Sequence, residues 1–203
     1  MLDPRTIHKQ RSLSCVALVV DINGSEKLIG AGANGLTGQF FRDLLSGGIE
    51  AVEKCSGSVV SFTGDGFIAV LPTETDAAHA CWSIARDLRK TREYLSDTCD
   101  DGTPAWPQME IGVGLKIAIE RGVLEISSIS SSFLGKQPFL VGEPTVYASR
   151  ILAFGTGDRC VVGPKAAANW PYAGLEGPYE GEVKHKGLTY RYYFYDLDDL
   201  WED

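Results

Sequence analysis

Apolar and polar positions alternate along this chain with two distinct periods, and the switches between them outline its elements. Residues 13–21 (LSCVALVVD) are a nearly unbroken apolar run closed by Asp21, the signature of a strand buried on both faces. A Gly-rich stretch, NGSEKLIGAGANG, follows. FFRDLLSGGIEAVEKCSG then repeats apolar residues at helical spacing (Phe40, Phe41, Leu44, Leu45, Ile49, Val52) and predicts a helix capped by Gly57. SVVSFT and FIAVL are strand-like and flank Gly64-Asp65-Gly66, which predicts a hairpin. Residues 74–95 predict the strongest helix, with Thr73 as cap and acids in its first turn.

Further on, MEIGVGLKIAIE and GVLEISSIS flank Arg121-Gly122 and predict a second long hairpin. Residues 143–154 read as a helix with Pro144 in its first turn, and 159–163 as a short strand. EVKHKGLTYRYYFYDL predicts a closing hairpin. The order β-α-β-β-α-β-β-α-β, then a short helix and a hairpin, implies an α+β, ferredoxin-like βαββαβ sandwich with extra C-terminal strands. One domain over residues 1–203 is expected, with 1–12 as a tail and 96–108 as an inserted loop.

Composition narrows the function. The chain has 203 residues, 44% of them hydrophobic, and a net charge of −8. An acidic surface lacks the electrostatic footprint of a nucleic-acid binder. No run approaches the ~20 apolar residues of a membrane span, and no signal-peptide pattern opens the chain, so a cytoplasmic protein is expected. Five cysteines without a CxxC pair argue against a disulfide framework or structural zinc. His8, His79 and His185 sit in settings that do not suggest catalysis. A phosphate-bearing ligand would have to be held locally.

Two carboxylates stand out. Asp21 ends a buried strand and leads into Ile22-Asn23-Gly24-Ser25-Glu26-Lys27, where small residues allow an anion-binding nest. A strand-end Asp that merely caps the next turn is the commoner arrangement. Asp65 lies between two glycines, which is good turn chemistry in itself. In a ferredoxin-like sheet the first strand and this hairpin are neighbours. Asp21 and Asp65 would then meet beside the nest, as hard divalent cations require.

Five segments in order resemble the class III nucleotide cyclases: VALVVDINGSEKL, GSVVSFTGDGFIAVL, IGVGLKIAIERGVL, FLVGEPTVYASRIL and VKHKGLTYRYYFY. The resemblance spans roughly residues 13–195. It implies that Asp21 and Asp65, with the Ile22 carbonyl, hold two divalent cations, Mn²⁺ or Mg²⁺. It implies that Asn23, Gly24, Ser25, Glu26 and Lys27 surround the β- and γ-phosphates. Arg150 matches the arginine that stabilises transition-state charge, and Lys186 or Lys184 a triphosphate-binding lysine. The family works as a head-to-tail dimer, so a homodimer is implied, with Asp21 and Asp65 from one subunit and Arg150, Ser61 and Phe139 from the other.

The base-reading positions depart from the adenylate cyclase pattern. Ser61 replaces a lysine, Phe139 an aspartate or threonine, and Val146 the ribose-orienting asparagine, with Tyr147 beside it. That combination resembles the stand-alone pyrimidine cyclases of bacterial antiphage defence (the Pycsar system) and implies UTP, or next CTP, as substrate. The alternatives are an adenylate or guanylate cyclase with a rearranged pocket, or a non-catalytic ferredoxin-like nucleotide-binding or dimerisation module. A diguanylate-cyclase-like or polymerase-palm domain would share the paired carboxylates but lacks its GG[DE]EF-like hairpin here.

Overall fold

A computed structural model describes residues 12–26, 34–96, 114–132, 135–155, 159–171 and 179–196. The elements in chain order are β1 (Ser12–Asn23), α1 (Asn34–Lys54), β2 (Ser58–Phe62), β3 (Phe67–Leu71), α2 (Glu74–Ser96), β4 (Gly114–Ser131), β5 (Gly135–Gly142), α3 (Glu143–Leu152), β6 (Arg159–Val162), α4 (Pro164–Ala167), β7 (Tyr179–His185) and β8 (Leu188–Asp196). The fold class is the expected α+β one. The strands form one sheet in the order β2-β3-β1-β4-β6-β8-β7, and β5 also pairs with β4. Among the described residues only β4 and β6 run parallel. The expected tail and inserted loop lie largely outside the described residues.

β1 is central because it is apolar on both sides. Val16, Leu18, Val20 and Ile22 point to the face covered by α1 and α2, where they meet Leu44, Val52, Cys81 and Ile84. Val19 points to the other face and packs with Ala118, Val161, Ala148 and Ile151 under α3. A third cluster on that second face joins Leu13, Cys15, Val70 and Leu124, with Val60 and Leu140 packed against it. Burying these side chains on two faces is the main stabilising term, on the order of 1.5–3 kcal/mol for each large one.

Two expectations need correction. Arg121-Gly122 is not a turn. β4 runs straight through it, because β1 offers an unbroken partner edge from Ser12 opposite Glu125 to Asn23 opposite Gly114. The true hairpin joins β4 to β5, with Ser131 opposite Gly135. Gly122 is needed for contact: a Cβ there would lie 2.9 Å from Pro144 Cδ, so the glycine lets α3 start close against the strand. The cap of α1 also shifts by one residue. Ser56 takes the left-handed conformation (φ 60°), and the Gly57 N–H returns to the Val52 carbonyl at 2.9 Å, a Schellman closure.

The α2 cap forms as expected. Thr73 Oγ1 accepts the Asp76 N–H at 3.1 Å and donates to the Asp76 carboxylate at 2.6 Å. Arg121 clamps the same helix start: Nη2 lies 2.8 Å from Glu74 Oε2, and Nε bonds Oε1. Cys15, Cys55, Cys81 and Cys160 are free thiols; Cys99 lies outside the described residues. No helix among the described residues is long and apolar enough to cross a membrane.

Candidate active site

The hairpin between β2 and β3 brings Asp65 to Asp21. Three local features produce this. Gly64 adopts φ 95°, a conformation L side chains rarely take. The Thr63 N–H donates to the Gly66 carbonyl at 3.0 Å and closes the tip. Gly66 then lies flat on β1: a Cβ there would stand 3.1 Å from Asp21 Cα and 2.9 Å from Thr63 Oγ1, and would collide with the Val20 carbonyl oxygen. The turn is therefore pressed against the strand at the point where Asp21 begins.

The two carboxyl groups consequently come close enough to interact. Burial first, then the Asp65 carboxylate and its hydrogen bond, raise the Asp21 pKa above the ordinary carboxylate range, and Lys116 opposes them. Both residues are half-buried, at the edge where the sheet meets solvent. Such a pair is strained by like charge unless a proton or a cation stands between its members. Among the described residues no group of three or more His, Cys, Asp or Glu converges, so this pair is a two-carboxylate arrangement.

Lys116 is the residue that sequence reasoning missed. It stands on β4 directly opposite Asp21 and shares its face of the sheet. The available signal was a lone charge inside the apolar run GLKIAI, at a register position that only the pairing reveals. The β1–β3 ladder ends at Val20 opposite Phe67, so Asp21, Ile22 and Asn23 extend past β3. Gly24 turns with φ 79°, and Ser25 and Glu26 open a helical turn. Lys27 lies outside the described residues.

The remaining predicted residues sit elsewhere. A bulge between Val59 and Ser61 sets Ser61, which is exposed, opposite Ile68. Phe139 lies on β5 opposite Ser127. Val60 and Leu140, their chain neighbours, both pack against the third apolar cluster. Arg150 is exposed in the last turn of α3, while Ala148 and Ile151 face the sheet. Tyr147 is half-buried, and its hydroxyl bonds the main chain of Arg191.

Lys184 and Lys186 are exposed at the β7–β8 hairpin. Lys186 (φ 49°) and Gly187 (φ 80°) form its two-residue turn. Register separates this turn from Asp21. Asp21 lies opposite Lys116, Lys116 opposite Arg159, and Arg159 opposite Asp196. The turn lies at the other end of β8, beyond Leu188, which is roughly 27 Å along the strand from Asp196 at about 3.4 Å per residue. Within one chain the carboxylate pair and the lysine turn are at opposite ends of the sheet, and Arg150 faces away from it.

No protein-family model and no curated protein sequence matches this chain. Solved structures do. The adenylyl cyclase CyaB from P. aeruginosa superposes with a TM-score of 0.69 at 13% identity, over 92% of this chain and 97% of that one. The adenylate/guanylate cyclase/hydrolase from Silicibacter pomeroyi gives 0.61 at 17%, over 91% and 97%. The guanylate cyclase domain of RhGC from Catenaria anguillulae, in complex with GTP, gives 0.60 at 11%, over 92% and 99%. At these identities the likeness is one of fold, and the fold of this chain is that of the class III nucleotide cyclase domain.

Proposed function

We propose that the chain is a nucleotide cyclase that converts a pyrimidine nucleoside triphosphate, UTP before CTP, to its 3′,5′-cyclic monophosphate and pyrophosphate. The observation that carries this reading is that the β2–β3 turn, pressed against β1 through Gly66, brings Asp65 beside Asp21 at the open edge of the sheet. A cation between them relieves their repulsion, so the pair fits hard divalent ions. Asp21 and Asp65, with the Ile22 carbonyl, would hold two such ions, Mn²⁺ or Mg²⁺, which when bound activate the ribose 3′-oxygen and neutralise charge on the departing pyrophosphate.

In the reaction the 3′-oxygen forms a bond to the α-phosphorus, and the bond from that phosphorus to the bridging β-oxygen breaks. Asn23 to Lys27 and Lys116 surround the phosphates from the carboxylate side. Arg150 approaches from a second copy of the chain and stabilises charge developing on the α-phosphate. Lys186, or Lys184, binds the triphosphate from that same copy. Ser61 and Phe139 meet the base. The separation of the carboxylate pair from the lysine turn, and the exposure of Arg150 on α3, support a site completed only in a homodimer. The resemblance of Ser61 and Phe139 to the pyrimidine cyclases supports the substrate and a role in antiphage signalling through a cyclic-nucleotide receptor.

The test is purified protein with Mn²⁺ and each of UTP, CTP, ATP and GTP, with cyclic products identified by mass spectrometry. Cyclic UMP is expected. Cyclic AMP or GMP alone would replace the pyrimidine reading with the purine one. Nucleotide binding without turnover would establish a binding module. Asp65→Ala should abolish product. Mixing Asp65→Ala with Arg150→Ala protein should restore about a quarter of the wild-type sites, because half the dimers are hybrids with one intact site each. No recovery would refute the shared site.

A further inference from the structure

β6 is short. Its ladder with β8 runs only from Arg159 opposite Asp196 to Val162 opposite Tyr193. Carried two residues further, the register would set Pro164 opposite Arg191. Pro164 has no N–H to give, and it opens α4 instead of extending the strand. The β6 side of β8 is therefore uncovered at Arg191, whose main-chain N–H and C=O still need partners.

Tyr147 supplies both. Its hydroxyl accepts the Arg191 N–H at 2.9 Å and donates to the Arg191 C=O at 2.9 Å. Its ring stands edge-on to Tyr190, 5.0 Å between centroids. One side chain from α3 thus takes the place of a strand residue that β6 cannot provide. Arg150 follows Tyr147 by one helical turn on α3. Arg191 lies on the strand that begins just after the Lys186-Gly187 turn.

We infer that Tyr147 is a positioning residue, whose hydroxyl locks α3 to β8 and so fixes Arg150 relative to Lys184 and Lys186 within the half-site one subunit lends to its partner. This rests on the cyclase reading above, and it replaces the expectation that Tyr147 touches the nucleotide.

Tyr147→Phe keeps the ring and removes both bonds. With Arg150 free to shift, kcat should fall at least about tenfold while KM for the triphosphate stays within about twofold, because a misplacement of one ångström is felt in the transition state. The loss should vanish in an Arg150→Ala background, where the double variant matches Arg150→Ala alone. In mixed dimers Tyr147→Phe should be complemented by Asp65→Ala but not by Arg150→Ala. 4-Aminophenylalanine at position 147, which keeps a donor and an acceptor at the same place, should restore kcat. Should Tyr147→Phe fail to fold, 4-fluorophenylalanine at position 147, which has no donor and only a weak acceptor, is the test variant and should lower kcat in the same way.

Wild-type kcat in folded Tyr147→Phe protein would overturn the inference and leave the cyclase reading intact. So would a tenfold loss that persists on top of Arg150→Ala. Wild-type protein that turns over none of the four triphosphates would overturn the cyclase reading and the inference together.

Discussion

Gly66→Ala asks whether the carboxylate pair depends on the hairpin lying flat on β1. A Cβ on Gly66 would sit about an ångström or more inside van der Waals contact with the Val20 carbonyl oxygen. It would also press on Asp21 Cα, at 3.1 Å. Both are backbone atoms of the central strand, Val20 held by ladders on each side and Asp21 by the ladder to β4, so they cannot swing away as a side-chain tip could. The hairpin must lift by about an ångström, and Asp65 lifts with it. Overpacking of this kind costs about 1–3 kcal/mol. For catalysis, displacement of a ligand-bearing carboxylate by that distance corresponds to roughly a hundredfold loss. Urea unfolding and Mn²⁺-dependent product formation measure the two effects separately. Gly64→Ala is the control, since a Cβ there meets nothing within 4 Å and only the left-handed backbone is strained, at about 1–2 kcal/mol. Gly66→Ala protein with wild-type turnover would show that Asp65 does not need this approach, and the argument from Gly66 to the site would fail.

Other expectations follow from the same contacts. Asp65→Asn in EDTA should raise unfolding stability by ~1 kcal/mol while abolishing turnover, because it relieves the like-charge interaction of two neighbouring carboxyl groups; a lower urea midpoint would contradict the repulsion. Burial pushes the Glu74 carboxyl up, but hydrogen bonds from Arg121, its own main-chain amide and Asn169 outweigh this and hold it below the usual value. A carboxylate so lowered stabilises the fold above its unfolded pKa of about 4.3, and that stability is lost as pH falls through the folded value. Glu74→Gln should therefore flatten the acid limb of urea midpoint against pH below about 4.3 and cost about 2 kcal/mol at neutral pH. Ser56→Gly should stabilise the chain by roughly 0.5–1 kcal/mol, since φ 60° suits glycine, as thermal unfolding would show.

Local chemistry explains which parts of this fold were legible. β1, α2 and the β7–β8 hairpin follow from period, capping and turn residues that act over a few positions. Thr73 and the Lys186-Gly187 turn sit where those rules place them. Arg121-Gly122 misled because an Arg-Gly step reads as a turn only while nothing else is paired with it. The twelve-residue edge of β1 lies a hundred positions away, and it outweighs that local preference. Ser56 and Gly57 show the same limit in small: Ser56 is the left-handed residue, and Gly57 is glycine where a Cβ would meet Leu71 and the Val70 carbonyl of another strand.

The candidate site divides along the same line. Asp21 and Asp65 were legible as a pair because each closes an apolar strand and the topology makes those strands neighbours. Lys116 was not, since its place opposite Asp21 is a matter of register, and register is fixed by the whole β1–β4 ladder. The bonds of Tyr147 were not legible for a related reason. Its motif position suggests a ligand contact, while its hydroxyl pairs with the Arg191 main chain, on a strand reached only after a further turn. A side chain that satisfies another element's backbone leaves no local signature. Arg150 and Lys186 are legible as charges on exposed turns, yet what separates them from Asp21 is the length of β8 and the side of α3 that faces solvent. The shared site proposed above rests on these two features, and neither can be read from a motif.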